Sequence, residues 1–106
     1  MTWLDACEFA ALPDEDPVGV RIGTTALVLV RRGERIHAVD ALCPHKFGPL
    51  EDGTMEAGRL ACPLHDAHFD LQTGLPRDTD GWAPRLRVYE ARVEAGRVQV
   101  LFQSAE

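Results

Sequence analysis

Two pairs of soft metal ligands dominate this sequence. Cys43 and His45 stand in Cys-Pro-His, and Cys62 and His65 stand in Cys-Pro-Leu-His. Sixteen residues lie between His45 and Cys62. A proline directly after each cysteine stiffens the chain and removes a backbone donor. The glycines and prolines between the two segments suit tight loops and not helix. Two short loops, each offering one thiolate and one imidazole, make a four-ligand metal site. Thiolate and imidazole together suit zinc, or an iron–sulfur cluster with mixed ligands. Zinc fingers usually pair Cys with Cys and His with His. Here each loop carries one of each, spaced C-x-H in the first and C-x-x-H in the second.

That order resembles the Rieske [2Fe–2S] family, and the likeness continues through Ala67-His68-Phe69-Asp70-Leu71-Gln72-Thr73-Gly74. The resemblance implies one [2Fe–2S] cluster per chain. Cys43 and Cys62 would bind the inner iron, and His45 and His65 the outer one. Replacing two thiolates by neutral imidazoles removes negative charge and raises the potential above that of an all-cysteine cluster, within a family range of roughly −150 to +300 mV. Respiratory-type relatives carry an extra cysteine in each loop, joined as a disulfide; those positions fall on Gly48 and Leu64 here. Relatives of high potential place hydroxyl groups near the cluster at positions matching Ala67 and Phe69. Hydrogen bonds around a metal site tune it, and their lack at these two places implies the low, ferredoxin-like end of the range. Asp66 stands where most relatives have glycine, and it reads as a solvated loop residue that tolerates positive φ.

The remaining composition bounds the rest. The chain has 106 residues, 45% of them apolar, enough for one domain with an ordinary core and no disulfides. A formal charge of −6 argues against nucleic acid as a partner. Of three cysteines, two are assigned to the cluster, and Cys7 reads as a small buried core residue. A single leftover thiol fits a reducing compartment. No basic segment followed by a long apolar run opens the chain, and its longest apolar run, 26–30, is far too short to span a membrane. These features lead us to expect a soluble cytoplasmic protein.

The elements that must hold the ligand loops read as strands. Thr2–Cys7 is a first strand, and Glu8–Leu12 one helical turn before Pro13. Residues 14–17 are a charged, solvated turn. Val18–Ile22 and Thr25–Arg31 form a hairpin, and Arg35–Val39 pairs back with His37 as a sheet histidine without a metal role. Phe47 and Leu50 would shield the metal, and 51–53 is a turn. Arg59–Ala61 delivers Cys62, and His68–Asp70 is its antiparallel mate, with His68 outside the ligand set. Residues 77–84 are polar and turn-rich, with Trp82 as a docking aromatic or a core plug; in the family a proline loop covers the cluster, and Pro84 is the candidate. Leu86–Val93 and Arg97–Phe102 form a terminal hairpin. The expectation is an all-β Rieske fold with an antiparallel β-sandwich or barrel base. Residues 1–106 form a single domain, with a base of about 1–40 and 75–106 and an inserted cluster-binding subdomain of about 41–74.

A cluster whose iron positions are filled by protein and sulfide leaves no place for substrate. The resemblance therefore implies a carrier and not an enzyme: a free-standing Rieske ferredoxin. It would pass single electrons from a flavin-dependent NAD(P)H reductase to a terminal, ring-hydroxylating Rieske oxygenase, with no small-molecule substrate, membrane or nucleic acid involved. Acidic Glu51, Asp52 and Asp66 near the cluster end would steer it toward basic partner surfaces. Two other readings are a redox small subunit of a permanent complex, such as a nitrite reductase, and a zinc-binding interaction module.

Overall fold

The computed structural model describes residues 2–42, 49–63, 68–77 and 86–102. Its strands are β1 (Thr2–Glu8), β2 (Val18–Ile22), β3 (Thr25–Arg32), β4 (Arg35–Asp40), β5 (Thr54–Glu56), β6 (Arg59–Ala61), β7 (His68–Asp70), β8 (Pro76–Arg77), β9 (Val88–Tyr89), β10 (Ala91–Glu94) and β11 (Arg97–Phe102). Two 3₁₀ turns, Phe9–Ala11 and Leu50–Asp52, join them. Three antiparallel sheets result, ordered β1-β11-β10, β2-β3-β4-β9 and β5-β6-β7-β8. The all-β expectation holds among the described residues. Among them, no helix is long and apolar enough to cross a membrane.

The middle sheet is packed on both faces, which explains the unbroken apolar run in β3. Leu27, Val28, Leu29 and Val30 have no solvent exposure. A half-exposed strand alternates polar and apolar residues, whereas one covered on both sides does not need to. Val28 and Val30 face a core shared with Leu50, Leu60, Phe69 and Leu71 of the third sheet and its connections. Leu27 and Leu29 face a second core with Val98 and Val100 of β11. Each such side chain taken from water contributes about 1.5–3 kcal/mol, so two faces of β3 tie all three sheets together.

Tight hairpin loops set the registers. Ala57-Gly58 and Ala95-Gly96 carry positive φ at both positions, the backbone of a two-residue turn whose twist matches that of its strands. They join the pairs Glu56↔Arg59 and Glu94↔Arg97.

Three details differ from expectation. The expected strand Leu86–Val93 is two strands in two sheets. Tyr89 and Val88 pair with Ala38 and Val39 of β4, while Ala91 and its successors pair with β11. The break falls at Glu90, whose carbonyl accepts from Leu101 N–H at 2.9 Å. Within β9 neighbouring side chains point to opposite faces, so Val88 packs against one core and Tyr89 lies in the other. Strands β5 and β8, unforeseen, complete the third sheet. The charged residues of the turn are exposed, while Pro17 is buried. The turn is anchored through one side chain and one backbone group: Gly33 N–H donates to Asp14 Oδ1 at 2.8 Å, and Glu15 N–H to the Arg31 carbonyl at 2.7 Å.

Candidate metal centre

Two loops of equal length carry the four candidate ligands. An antiparallel bridge, Leu42↔Pro49, closes residues 43–48. The last pair of the β6–β7 hairpin, Ala61↔His68, closes residues 62–67. Each loop therefore spans six residues between paired feet. Cysteine stands first in both, and histidine third in one and fourth in the other. Cys43, His45 and His65 lie outside the described residues, as do Phe47, Gly48, Leu64, Asp66, Ala67, Trp82 and Pro84.

The feet of the two loops are locked to each other. Leu50 N–H donates to the Ala41 carbonyl at 2.8 Å, and Gly53 N–H to the Leu50 carbonyl at 3.0 Å. The chain leaving the first loop thus makes one 3₁₀ turn and enters β5, whose Thr54 pairs with Ala61 at the root of the second loop. Gly53 is required there, because a Cβ would overlap the Ala61 carbonyl oxygen. Local sequence dictates this path: a glycine and a turn of three residues bring the second loop back beside the first.

Cys62 is the one candidate ligand among the described residues, and its setting fits a cluster sulfur. It is 5% exposed and sits in the apolar core with Leu50, Leu60, Phe69 and Leu86. A thiolate ligating iron on the protein side of a cluster needs such a water-poor wall. Leu50 and Phe69 are both fully buried in that core, and Phe69 brings no hydroxyl. His68 is half-buried on β7 at the foot of the second loop, opposite Ala61 and Arg77. His37 is half-buried on β4, where burial above all, then Arg32 and Arg35, holds its imidazole below the ordinary histidine value against the pull of Asp70. Cys7 packs beside the opposite core, and burial pushes its thiol up.

One support escaped the sequence. Tyr89 Oη donates to Asp40 Oδ1 at 2.8 Å, across 49 residues of chain. Asp40 N–H also donates to the Arg87 carbonyl at 3.1 Å, and Asp40 lies three residues ahead of Cys43. The strand that feeds the first loop is therefore clamped from β9. Burial first, then the Asp40 hydrogen bond, pushes the Tyr89 phenol up to about 12.

Residues 2–90 match the Rieske [2Fe–2S] domain. The chain belongs to the Rieske [2Fe–2S] family. The cofactor of that domain is a [2Fe–2S] cluster, in place of the zinc of the alternative reading. This Rieske protein is 32% identical over 98 residues to the ferredoxin component of the naphthalene 1,2-dioxygenase/salicylate 5-hydroxylase systems of a Ralstonia species, covering 92% of this chain and 93% of that one. It is similar to a chain in the complex of reduced oxygenase and oxidized ferredoxin of carbazole 1,9a-dioxygenase, at TM-score 0.82 and 29% identity over 92% of this chain and 91% of that one. It is also similar to the putative NADH-dependent nitrite reductase small subunit of Mycobacterium tuberculosis, at TM-score 0.86 and 26% identity over 98% and 97%. The all-β Rieske fold expected from the resemblance and the strand pattern is the fold observed.

Proposed function

We propose that this Rieske protein is a soluble, cytoplasmic electron carrier and not itself an enzyme. It is the ferredoxin component of an oxygenase system, taking single electrons from a flavin-dependent NAD(P)H reductase and delivering them to a terminal ring-hydroxylating oxygenase. The observation that carries this reading is near-complete mutual coverage with a ferredoxin component of such systems, 92% of one chain against 93% of the other.

Cys43 and Cys62 would hold the inner iron, and His45 and His65 the outer. When bound, the cluster supplies a one-electron couple. The chain's own residues do the rest. Leu50, Leu60 and Phe69 keep water from the Cys62 sulfur, and the Tyr89–Asp40 clamp holds the strand entering the first loop. The apolar side chains packed with Cys62, Leu50, Leu60 and Phe69 among them, resist added negative charge, which supports a low potential. Residues 41–74 form the cluster-binding insertion, and 1–40 with 75–106 the base of a single domain.

The test is reconstitution. The holoprotein is mixed with a flavin-dependent reductase and NADH, then with an oxidised terminal Rieske oxygenase, while its visible absorption is followed. Bleaching by one electron and recovery on adding the oxygenase are expected; no recovery with any such oxygenase refutes the carrier role. Replacing His45 by Ala should abolish the native chromophore, and an unchanged spectrum removes His45 from the ligand set. The likeness to the nitrite reductase small subunit favours a second reading, a subunit of a permanent complex. Stable isolation as a lone chain, with reversible transfer to the oxygenase, decides against it.

A further inference from the structure

The face that β3 and β4 turn toward the metal centre changes character along its length. Val28, Val39 and Val30 lie in the core that contains Cys62. Farther out on the same face stand His37, opposite Val30, and then Arg32 directly opposite Arg35. Side chains paired across antiparallel strands share a face, and like charges in such a pair destabilise the sheet. Among the described residues no carboxylate lies within ion-pair distance of either guanidinium. Arg32 Nε is buried and has no hydrogen-bond partner. The Arg32 guanidinium lies against the β5–β6 turn, where a Cβ on Gly58 would stand 3.4 Å from Nη2.

A cleft of about 440 Å³ opens at this place, between the hairpin end of the middle sheet and the third sheet. Arg32, Arg35, His37 and Gln72 offer it donors, and Glu15 and Asp70 reach it as well. Asp70 Oδ1 accepts from Gln72 N–H at 2.8 Å and Thr73 N–H at 3.0 Å, and its charge partly offsets the arginines at His37. Glu15 is exposed on the charged turn. Among the described residues neither carboxylate makes an ion pair with Arg32 or Arg35.

We propose that Arg32, Arg35 and His37 form a binding site for a small multivalent oxyanion of the phosphate type, at the junction of the middle and metal-bearing sheets. Guanidinium groups take such anions through paired, charge-assisted hydrogen bonds. One anion between the two arginines turns a repulsive cross-strand pair into a bridge and meets the buried Nε. Burial first, and then the same two arginines, hold the His37 imidazole below its ordinary value against the pull of Asp70. Because the cleft draws on both sheets, an anion bound there stabilises the folded state by mass action.

Thermal unfolding of the holoprotein is the test, with millimolar inorganic phosphate exchanged for chloride at constant ionic strength. Parallel titrations use glycerol 3-phosphate and succinate. Phosphate should raise the melting temperature saturably by several degrees, and succinate should do less. A response to glycerol 3-phosphate as large as that to phosphate assigns the cleft to organic phosphate monoesters; a smaller one assigns it to the free ion. Arg35→Gln, an exposed change that relieves the repulsion, should melt no lower than wild type in chloride alone and should lose the phosphate response. Arg32→Gln should lose it too. A wild-type shift no larger than that of chloride, a response greater to succinate than to phosphate, or a full response retained in Arg35→Gln overturns the proposal.

Discussion

Tyr89 shows how one side chain far from the ligands holds their scaffold. Its hydroxyl reaches Asp40 just ahead of Cys43. Tyr89→Phe keeps the ring and the core contact and deletes one hydrogen bond, leaving the Asp40 carboxylate with one partner fewer. The expected loss is about 1 kcal/mol of stability, read by urea unfolding at neutral pH. The pH dependence follows from the direction of the shift. The folded phenol titrates at about 12 instead of 10.0, so the folded state favours the protonated form. That contribution is fully present below pH 10 and is lost as the pH rises toward 12. Wild type should therefore show an alkaline decline in stability over that window, and Tyr89→Phe should lack it. An equal decline in both proteins assigns the alkaline transition to other groups.

At the scale of elements, the turn between β7 and β8 ties the third sheet to the chain that enters the middle one. Asp70 builds it by accepting from the backbone N–H groups of Thr73 and Gln72, which lower its pKa. A lowered carboxylate stabilises the fold above its unfolded pKa and loses that contribution as the pH falls through the folded value. Asp70→Asn should thus reduce stability at neutral pH and flatten the acid limb of the stability profile. Gly74 closes the same turn. Its N–H donates to the Asp70 carbonyl and its carbonyl accepts from Leu86 N–H, both at 2.8 Å. It holds φ +78, and a Cβ there would overlap the Leu86 carbonyl oxygen. Gly74→Ala combines left-handed strain with overpacking and should cost roughly 3 kcal/mol, measured by denaturant unfolding. Iron content should fall with it, because the element displaced is the one that returns the chain to the base. Full stability in that variant contradicts the tight approach.

For the whole molecule, charge governs how fast a carrier meets its partners. A formal charge of −6 is combined with exposed Glu51 and Asp52 beside the first ligand loop. Long-range attraction to a basic partner surface is screened beyond about 10 Å at 0.1 M salt. Second-order rates of electron transfer to the oxygenase should therefore fall several-fold between low and moderate ionic strength in stopped-flow experiments. Glu51→Gln with Asp52→Asn should weaken that dependence. Rates independent of salt exclude electrostatic steering.

Much of this protein was legible in the chain. The candidate ligands with their spacing, and the short strands Arg59–Ala61 and His68–Asp70, are local features: Cys-Pro repeats, glycine turns and runs of strand-forming residues leave few other conformations open. The middle hairpin and its buried strand could be read for the same reason. What tertiary structure alone decided depends on partners distant in sequence. Nothing in residues 86–93 signals that the strand breaks at Glu90, because the break exists to satisfy β4 on one side and β11 on the other. Tyr89 and Asp40, 49 residues apart, acquire a shared role only when β9 lies beside β4. The pairing of Arg32 with Arg35 follows from the turn between them, but the cleft they face comes from how two sheets are packed. Periodicity fixes which way a side chain points; only the folded chain fixes what it meets there.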